Sequence, residues 1–149
     1  MKILEDYKLN SFSSFLTLLR YRACNYSYIN GGRVIGRLTN YLFEILYLLR
    51  NEVSQISYKA IIGRRIRLPH KGFGVVISRY AIVGDNVTLF HNVTLGINEN
   101  KKDKKIMIGD DCYLSTGVTV ISCEISEKTK VSPNVCVYKN LPPNIIHRG

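Results

Sequence analysis

At 149 residues, 46% of them hydrophobic and 21% charged, the chain fits one domain with a real core and is too apolar to be disordered. A formal charge of +10 points to an anionic ligand or a lipid surface. The 21 lysines and arginines are scattered, with no recognition helix or aromatic-basic motif, so nucleic acid is set aside as a partner.

Residues 1–54 read as a helical segment. Glu5 and Asp6 stand directly behind Met1-Lys2-Ile3-Leu4, so no signal-peptide core forms there. From Ser11 to Arg22, serine capping candidates precede apolar residues at helical spacing. Gly31-Gly32 breaks that helix. A second is expected over about residues 34–53, with Tyr41, Leu42, Ile45, Leu46, Leu48 and Leu49 on a broad apolar face. That face is interrupted by Glu44 and too short to cross a bilayer. It is expected to pack on the coil or another subunit. Arg33, Arg37 and Arg50 make peripheral contact with the inner face of the cell membrane the alternative.

Residues 55–149 change character. Short β-branched strands alternate with Gly, Asn, Asp or Ser, and an aliphatic residue repeatedly precedes Gly or Ser and a polar pair. Ile62-Gly63-Arg64-Arg65, Val83-Gly84-Asp85-Asn86, Ile108-Gly109-Asp110-Asp111 and Ile125-Ser126-Glu127-Lys128 are the clearest copies. A six-residue repeat predicts a parallel β-helix in which each repeat is one short strand and a turn. Between these copies the Gly or Ser recurs after 21, 25 and 17 residues rather than a constant number. Small insertions are therefore expected at the corners of about four coils, the largest being a Lys-rich loop from Ile97 to Lys105, with Pro142-Pro143 ending the strands. The helices are expected to cap one end. Cys24, Cys112, Cys123 and Cys136 show no Cys-x-x-Cys spacing, which reads as reduced thiols in a cytoplasmic protein.

Leu68-Pro69-His70, Gly74-Val75-Val76-Ile77, Val83-Gly84-Asp85-Asn86-Val87 and Asn92-Val93-Thr94-Leu95-Gly96, in this order, resemble the serine-acetyltransferase-like branch of the left-handed β-helix acyltransferases. The closer resemblance is to bacterial exopolysaccharide and capsule O-acetyltransferases of the colanic acid type. It implies a mainly β, left-handed parallel β-helix, acetyl-CoA as acyl donor, no metal, a homotrimer, and a sugar or lipid-linked saccharide of a surface-polysaccharide precursor as acceptor. It also implies His70 as general base. An imidazole with an ordinary pKa of about 6.5 can take the proton of a hydroxyl attacking a thioester. His91 is read as positioning the substrate or orienting the neighbouring histidine. Gly96, Ser115, Thr116, Gly117, Pro133 and Asn134 are implied to line the acyl-donor groove, with Lys139 at the nucleotide phosphates.

Three positions depart from the serine enzymes. Gln55 stands where they carry the aspartate that orients the histidine, Arg79 where they carry a glutamate, and Lys105 where they carry a second histidine. Gln55, Arg79 and Lys105 are therefore expected to bind a phosphate-bearing sugar rather than a zwitterionic amino acid. Serine O-acetyltransferase and a non-catalytic scaffold remain the alternatives. A zinc enzyme would need three converging histidines, and the chain has only His70, His91 and His147.

Overall fold

The computed structural model describes residues 2–48, 54–101 and 104–149. Of the expected second helix, residues 49–53 lie outside these, as do the side chains of Leu46 and Leu48 and, in the loop, Lys102.

Among the described residues, thirteen short strands form three parallel sheets, the faces of a triangular prism. Face A holds β1 (Gln55–Ile56), β3 (Val76–Ile77), β6 (Thr94–Gly96), β9 (Thr119–Ile121) and β12 (Cys136–Val137). Face B holds β2 (Ile61–Ile62), β4 (Ala81–Val83), β7 (Ile106–Ile108) and β10 (Glu124–Ile125). Face C holds β5 (Thr88–Leu89), β8 (Tyr113–Leu114), β11 (Lys130–Val131) and β13 (Ile146–His147). Single bridges from Arg67 to Thr88 and from Ile125 to Leu141 extend faces C and B. The chain thus winds A, B, C for somewhat more than four turns, the β-helix that the repeat predicts.

The repeat works because every sixth side chain points inward. Ile77, Val83, Leu89 and Leu95 form one such run, followed by Ile108, Leu114 and Val120, then Ile125, Val131 and Val137; none is more than 3% exposed. Each fully buried Val, Leu or Ile contributes about 1.5–3 kcal/mol, so this column is the main favourable term in the coil. Between Leu68 and Val137 the rhythm breaks at three places. Nine residues separate Leu68 from Ile77, thirteen separate Leu95 from Ile108, and five separate Val120 from Ile125. The first break is a 3-10 turn, Pro69–Gly72, on the corner leading from face C to face A. The second is the expected loop after β6, tied down by Asn98 N–H donating to Ser122 Oγ at 2.8 Å and Lys101 Nζ donating to the Ser122 carbonyl at 3.1 Å.

The first coil would leave one backbone edge bare, and the helices cover it. Helix α1 (Lys2–Leu9) leads into α2 (Phe12–Leu48), which is interrupted at Gly32 with φ +76°. Arg20 and Glu44 would lie about 36 Å apart on a straight helix at 1.5 Å per residue. They form an ion pair at 3.2 Å, so α2 folds back on itself at that glycine. Its first half packs Leu18 and Tyr21 into the core. Its second half leaves Val34, Leu38, Tyr41, Leu42 and Ile45 exposed, so the apolar face does not pack on the coil of its own chain. Among the described residues no helix is long and apolar enough to cross a membrane.

Side chains of the helices take the place of a missing strand. Tyr21 Oη donates to the Ala60 carbonyl at 2.8 Å and accepts the Ile62 N–H at 3.1 Å. Asp6 Oδ1 accepts the Ile66 N–H at 2.9 Å, while Asn10 donates to the Ile66 carbonyl and accepts the Leu68 N–H, both at 2.7 Å. Ser14 Oγ donates to the Leu68 carbonyl at 2.7 Å. Arg22 donates to the Ile62 carbonyl at 2.7 Å and pairs twice with Asp6 Oδ2, at 2.9 and 3.0 Å, with both residues buried. The acceptors and donors served belong to alternate residues because alternate backbone groups face the same edge of a strand. Burial pushes the Tyr21 phenol up to about 12, so it remains a neutral donor.

Candidate active site

The corner between faces B and C is the regular one. Gly63, Gly84 and Gly109 stack there because no side chain fits: a Cβ at Gly109 would lie 2.5 Å from the Glu127 backbone nitrogen. Asp85 Oδ1 accepts the Arg64 N–H and Asp110 Oδ1 accepts the Asp85 N–H, each at 2.7 Å. The Arg64 N–H holds the Asp85 carboxyl below the usual carboxylate range, with the Arg64 and Arg65 guanidinium groups adding to it.

The corner between faces C and A differs. His70 follows Pro69 and lies in the left-handed region with φ +54°, as do Lys71 at +65° and Gly72 at +65°. Two successive non-glycine residues there cost about 1–2 kcal/mol each. The turn is held at its entry by Asn10 and Ser14 on the Leu68 amide and carbonyl, and at its exit by the Phe73 N–H donating to the His70 carbonyl at 3.2 Å. His70 is exposed within this turn.

One coil further along, the same corner presents His91. The two imidazoles meet edge to face, with ring centroids 4.9 Å apart and planes at 84°. Phe90 lies 5.9 Å from the His70 ring and 5.1 Å from the Tyr113 ring, closing one side. A coil beyond, Thr116 Oγ1 stands 2.7 Å from His91 Nε2 and 3.2 Å from the His91 carbonyl oxygen. Among the described residues, His91 Nδ1 is buried without a hydrogen-bond partner. Ser115, Thr116 and Gly117, then Pro133 and Asn134, continue the column. Cβ atoms at Gly74 and Gly117 would strike the amide oxygens of Asn92 and Asn134, so these glycines let the column close up.

The remaining expected residues stand elsewhere. Gln55, exposed on β1, pairs in register with Val76 just past the His70 turn, and among the described residues no hydrogen bond joins it to His70. Arg79 lies beyond β3 at the opposite corner, between faces A and B, its guanidinium 5.0 Å from the Tyr80 ring. Lys105 lies at that same corner, in a shallow pocket with Lys101, Cys123, Glu124 and Asn140. Gly96 ends β6 toward that corner, and Lys139 follows β12 there with Nζ over the Tyr138 ring. One chain therefore gathers His70, His91 and the Ser115–Asn134 column, and keeps Arg79, Lys105 and Lys139 at the far end of face A. His147, on β13, lies on face C. Among the described residues no three His, Cys, Asp or Glu side chains form a metal cluster.

Sequence reading missed two things. Thr116, expected only as groove lining, has its hydroxyl on His91. The capping residues Asp6, Asn10, Ser14 and Arg22, drawn from α1, the turn after it and α2, went unread as a set.

No family model matches the chain. Curated relatives do. It is 37% identical over 108 residues to the serine acetyltransferase of Bacillus pumilus, covering 65% of this chain and 49% of the relative. It is 30% identical over 131 residues to that of Mycobacterium tuberculosis, covering 87% of this chain and 55% of the relative. The chain thus spans about half the length of these relatives. Among solved structures, soybean serine acetyltransferase superposes with a TM-score of 0.78 at 25% identity, over 93% of this chain and 56% of that one. The likeness in fold extends across both the helices and the coil.

Proposed function

We propose that this chain carries the acyl-transfer unit of an acetyl-CoA-dependent O-acetyltransferase, with His70 as general base. The observation that carries the reading is the His70–His91 pair on the strained C-to-A corner of a coil whose relatives by sequence are serine acetyltransferases. The steps follow from imidazole chemistry. His70 takes the proton of the acceptor hydroxyl while its oxygen attacks the thioester carbonyl. The tetrahedral adduct then collapses, the carbon–sulfur bond breaks, and the departing thiolate receives the proton back from His70. Direct transfer is favoured over a covalent intermediate because none of the cysteines lies at this corner: Cys112 and Cys123 are buried, and burial pushes both thiols up.

For the acceptor, the comparisons favour L-serine over the saccharide hydroxyl expected from the sequence. One observation supports the saccharide as a second reading. Gln55 supplies no negative charge near His70, and Arg79 adds a positive one at the A-to-B corner, which suits a phosphate better than an ammonium group. Arg79 and Lys105 could join His70 only across a subunit boundary, so a homotrimer belongs to the proposal.

Isothermal calorimetry with acetyl-CoA, followed by mass spectrometry of products from L-serine and from nucleotide sugars, tests it. O-acetylserine supports the first reading and an acetylated sugar the second. A folded chain that neither binds nor cleaves acetyl-CoA would overturn both in favour of a scaffold.

A further inference from the structure

His91 is gripped from both sides of its ring. Toward the following coil, Nε2 meets the Thr116 hydroxyl at 2.7 Å. Toward the preceding coil, the ring meets His70. The threonine hydroxyl has one proton to give, and the His91 carbonyl 3.2 Å away can only accept. Sending that proton to the carbonyl satisfies both contacts at once, because Nε2–H then donates to Oγ1. The opposite choice leaves the carbonyl contact without a proton. The ring is therefore the Nε2-protonated tautomer, and Nδ1 carries a lone pair.

The two nitrogens of an imidazole point to nearly opposite sides of the ring. With Nε2 bonded to Thr116, Nδ1 stands on the other side of the ring. It is buried and has no partner among the described residues, an unused acceptor on a ring that meets His70 edge to face. Where the resemblance leads one to expect a carboxylate for that task, the chain has Gln55, which forms no hydrogen bond to His70.

We propose that Thr116 is a positioning residue that locks His91 as the Nε2–H tautomer, so that His91 Nδ1 receives an N–H of His70 and leaves the other His70 nitrogen free as the base. The inference rests on the transferase reading. The two rings are in edge contact rather than hydrogen-bonded here, and such contacts tighten when a substrate fills the site. Protons balance without His91 changing charge. The acceptor's proton arrives at the free nitrogen of His70 and leaves from it to the thiolate, while the shared N–H stays between the rings. A neutral acceptor steadies the transient imidazolium less than a carboxylate does.

The test is nitrogen-15 NMR of the imidazoles in the full chain, with Thr116→Val and Thr116→Ser alongside. The wild type should show His91 protonated at Nε2 and bare at Nδ1. Thr116→Val, which keeps the shape and removes the hydroxyl, should mix the tautomers. It should lower kcat by about tenfold, the worth of one hydrogen bond. Thr116→Ser should restore both. An Nδ1-protonated His91 in the wild type, an undisturbed tautomer in Thr116→Val, or a rise in KM with kcat unchanged would each overturn the proposal. The NMR readout needs no turnover. A wrong tautomer sinks this inference alone, whereas the right tautomer in a chain that transfers no acetyl group sinks the transferase reading.

Discussion

The capped edge of the first coil and the corner bearing His70 are neighbours in space and opposites in chemistry. At the edge, the backbone groups of Ala60, Ile62, Ile66 and Leu68 that face away from the coil meet side chains of the helices, down to a buried Arg22–Asp6 pair. At the corner, His70 and Lys71 sit in successive left-handed backbone, two imidazoles crowd together, and one buried nitrogen has no partner among the described residues. The first region is saturated, the second deliberately incomplete. The two share Leu68, so the cap that finishes the prism also sets the entry to the His70 turn. The contrast locates the candidate reactivity: the rhythm breaks at the His70 turn, and the unmet buried nitrogen found among the described residues lies one coil beyond it, on His91.

The contrast can be broken from the saturated side first. Asp6→Ala leaves the Arg22 guanidinium buried without its carboxylate, an expected loss of about 3–5 kcal/mol, read as a large drop in the denaturation midpoint. Ser14→Ala is milder and more telling. It strands the buried Leu68 carbonyl, at about 1–3 kcal/mol, and should also slow acetyl transfer because the His70 turn loses its anchor. A loss of stability with turnover unchanged would separate the two regions that the structure joins. Gly109→Ala, on the regular corner, should cost about 1–3 kcal/mol through its clash with the Glu127 backbone and leave the kinetics of the folded fraction intact.

Smaller effects sharpen the comparison. The Asp85 carboxyl is held below its usual range, so its contribution is present at neutral pH and is lost as pH falls below the ordinary aspartate value through its lower folded one. Asp85→Asn should therefore be less stable than the wild type at pH 7, with the difference shrinking on acidification. Lys71→Gly should go the other way, relieving a left-handed residue and gaining about 1 kcal/mol.

How much of this was legible beforehand follows from what each feature rests on. The coil rests on an inward side chain every sixth residue, a local pattern, and Ile77, Val83, Leu89 and Leu95 display it openly. The histidine pair rests on coil-to-coil stacking, and the spacing of 21 between His70 and His91 matches that of Gly63 and Gly84, so it too could be read. Thr116 over His91 escaped because a 25-residue coil with a loop in it disguises the same stacking. The separation of Gln55 from Arg79 and Lys105 escaped because sequence alignment to a family does not say which corner of the prism a residue occupies. The helix cap escaped because the partners of its polar residues are backbone groups of the first coil, which no pattern of side chains reveals.

The central claim is that the incomplete corner carries the chemistry and the saturated edge carries the fold. The most direct test compares wild type and His70→Ala for acetyl-CoA cleavage in the presence of L-serine, with acetyl-CoA affinity and thermal midpoint measured on the same samples. The account predicts that His70→Ala loses about 10²–10⁴-fold in turnover while affinity and midpoint hold. Turnover undiminished in His70→Ala would contradict it.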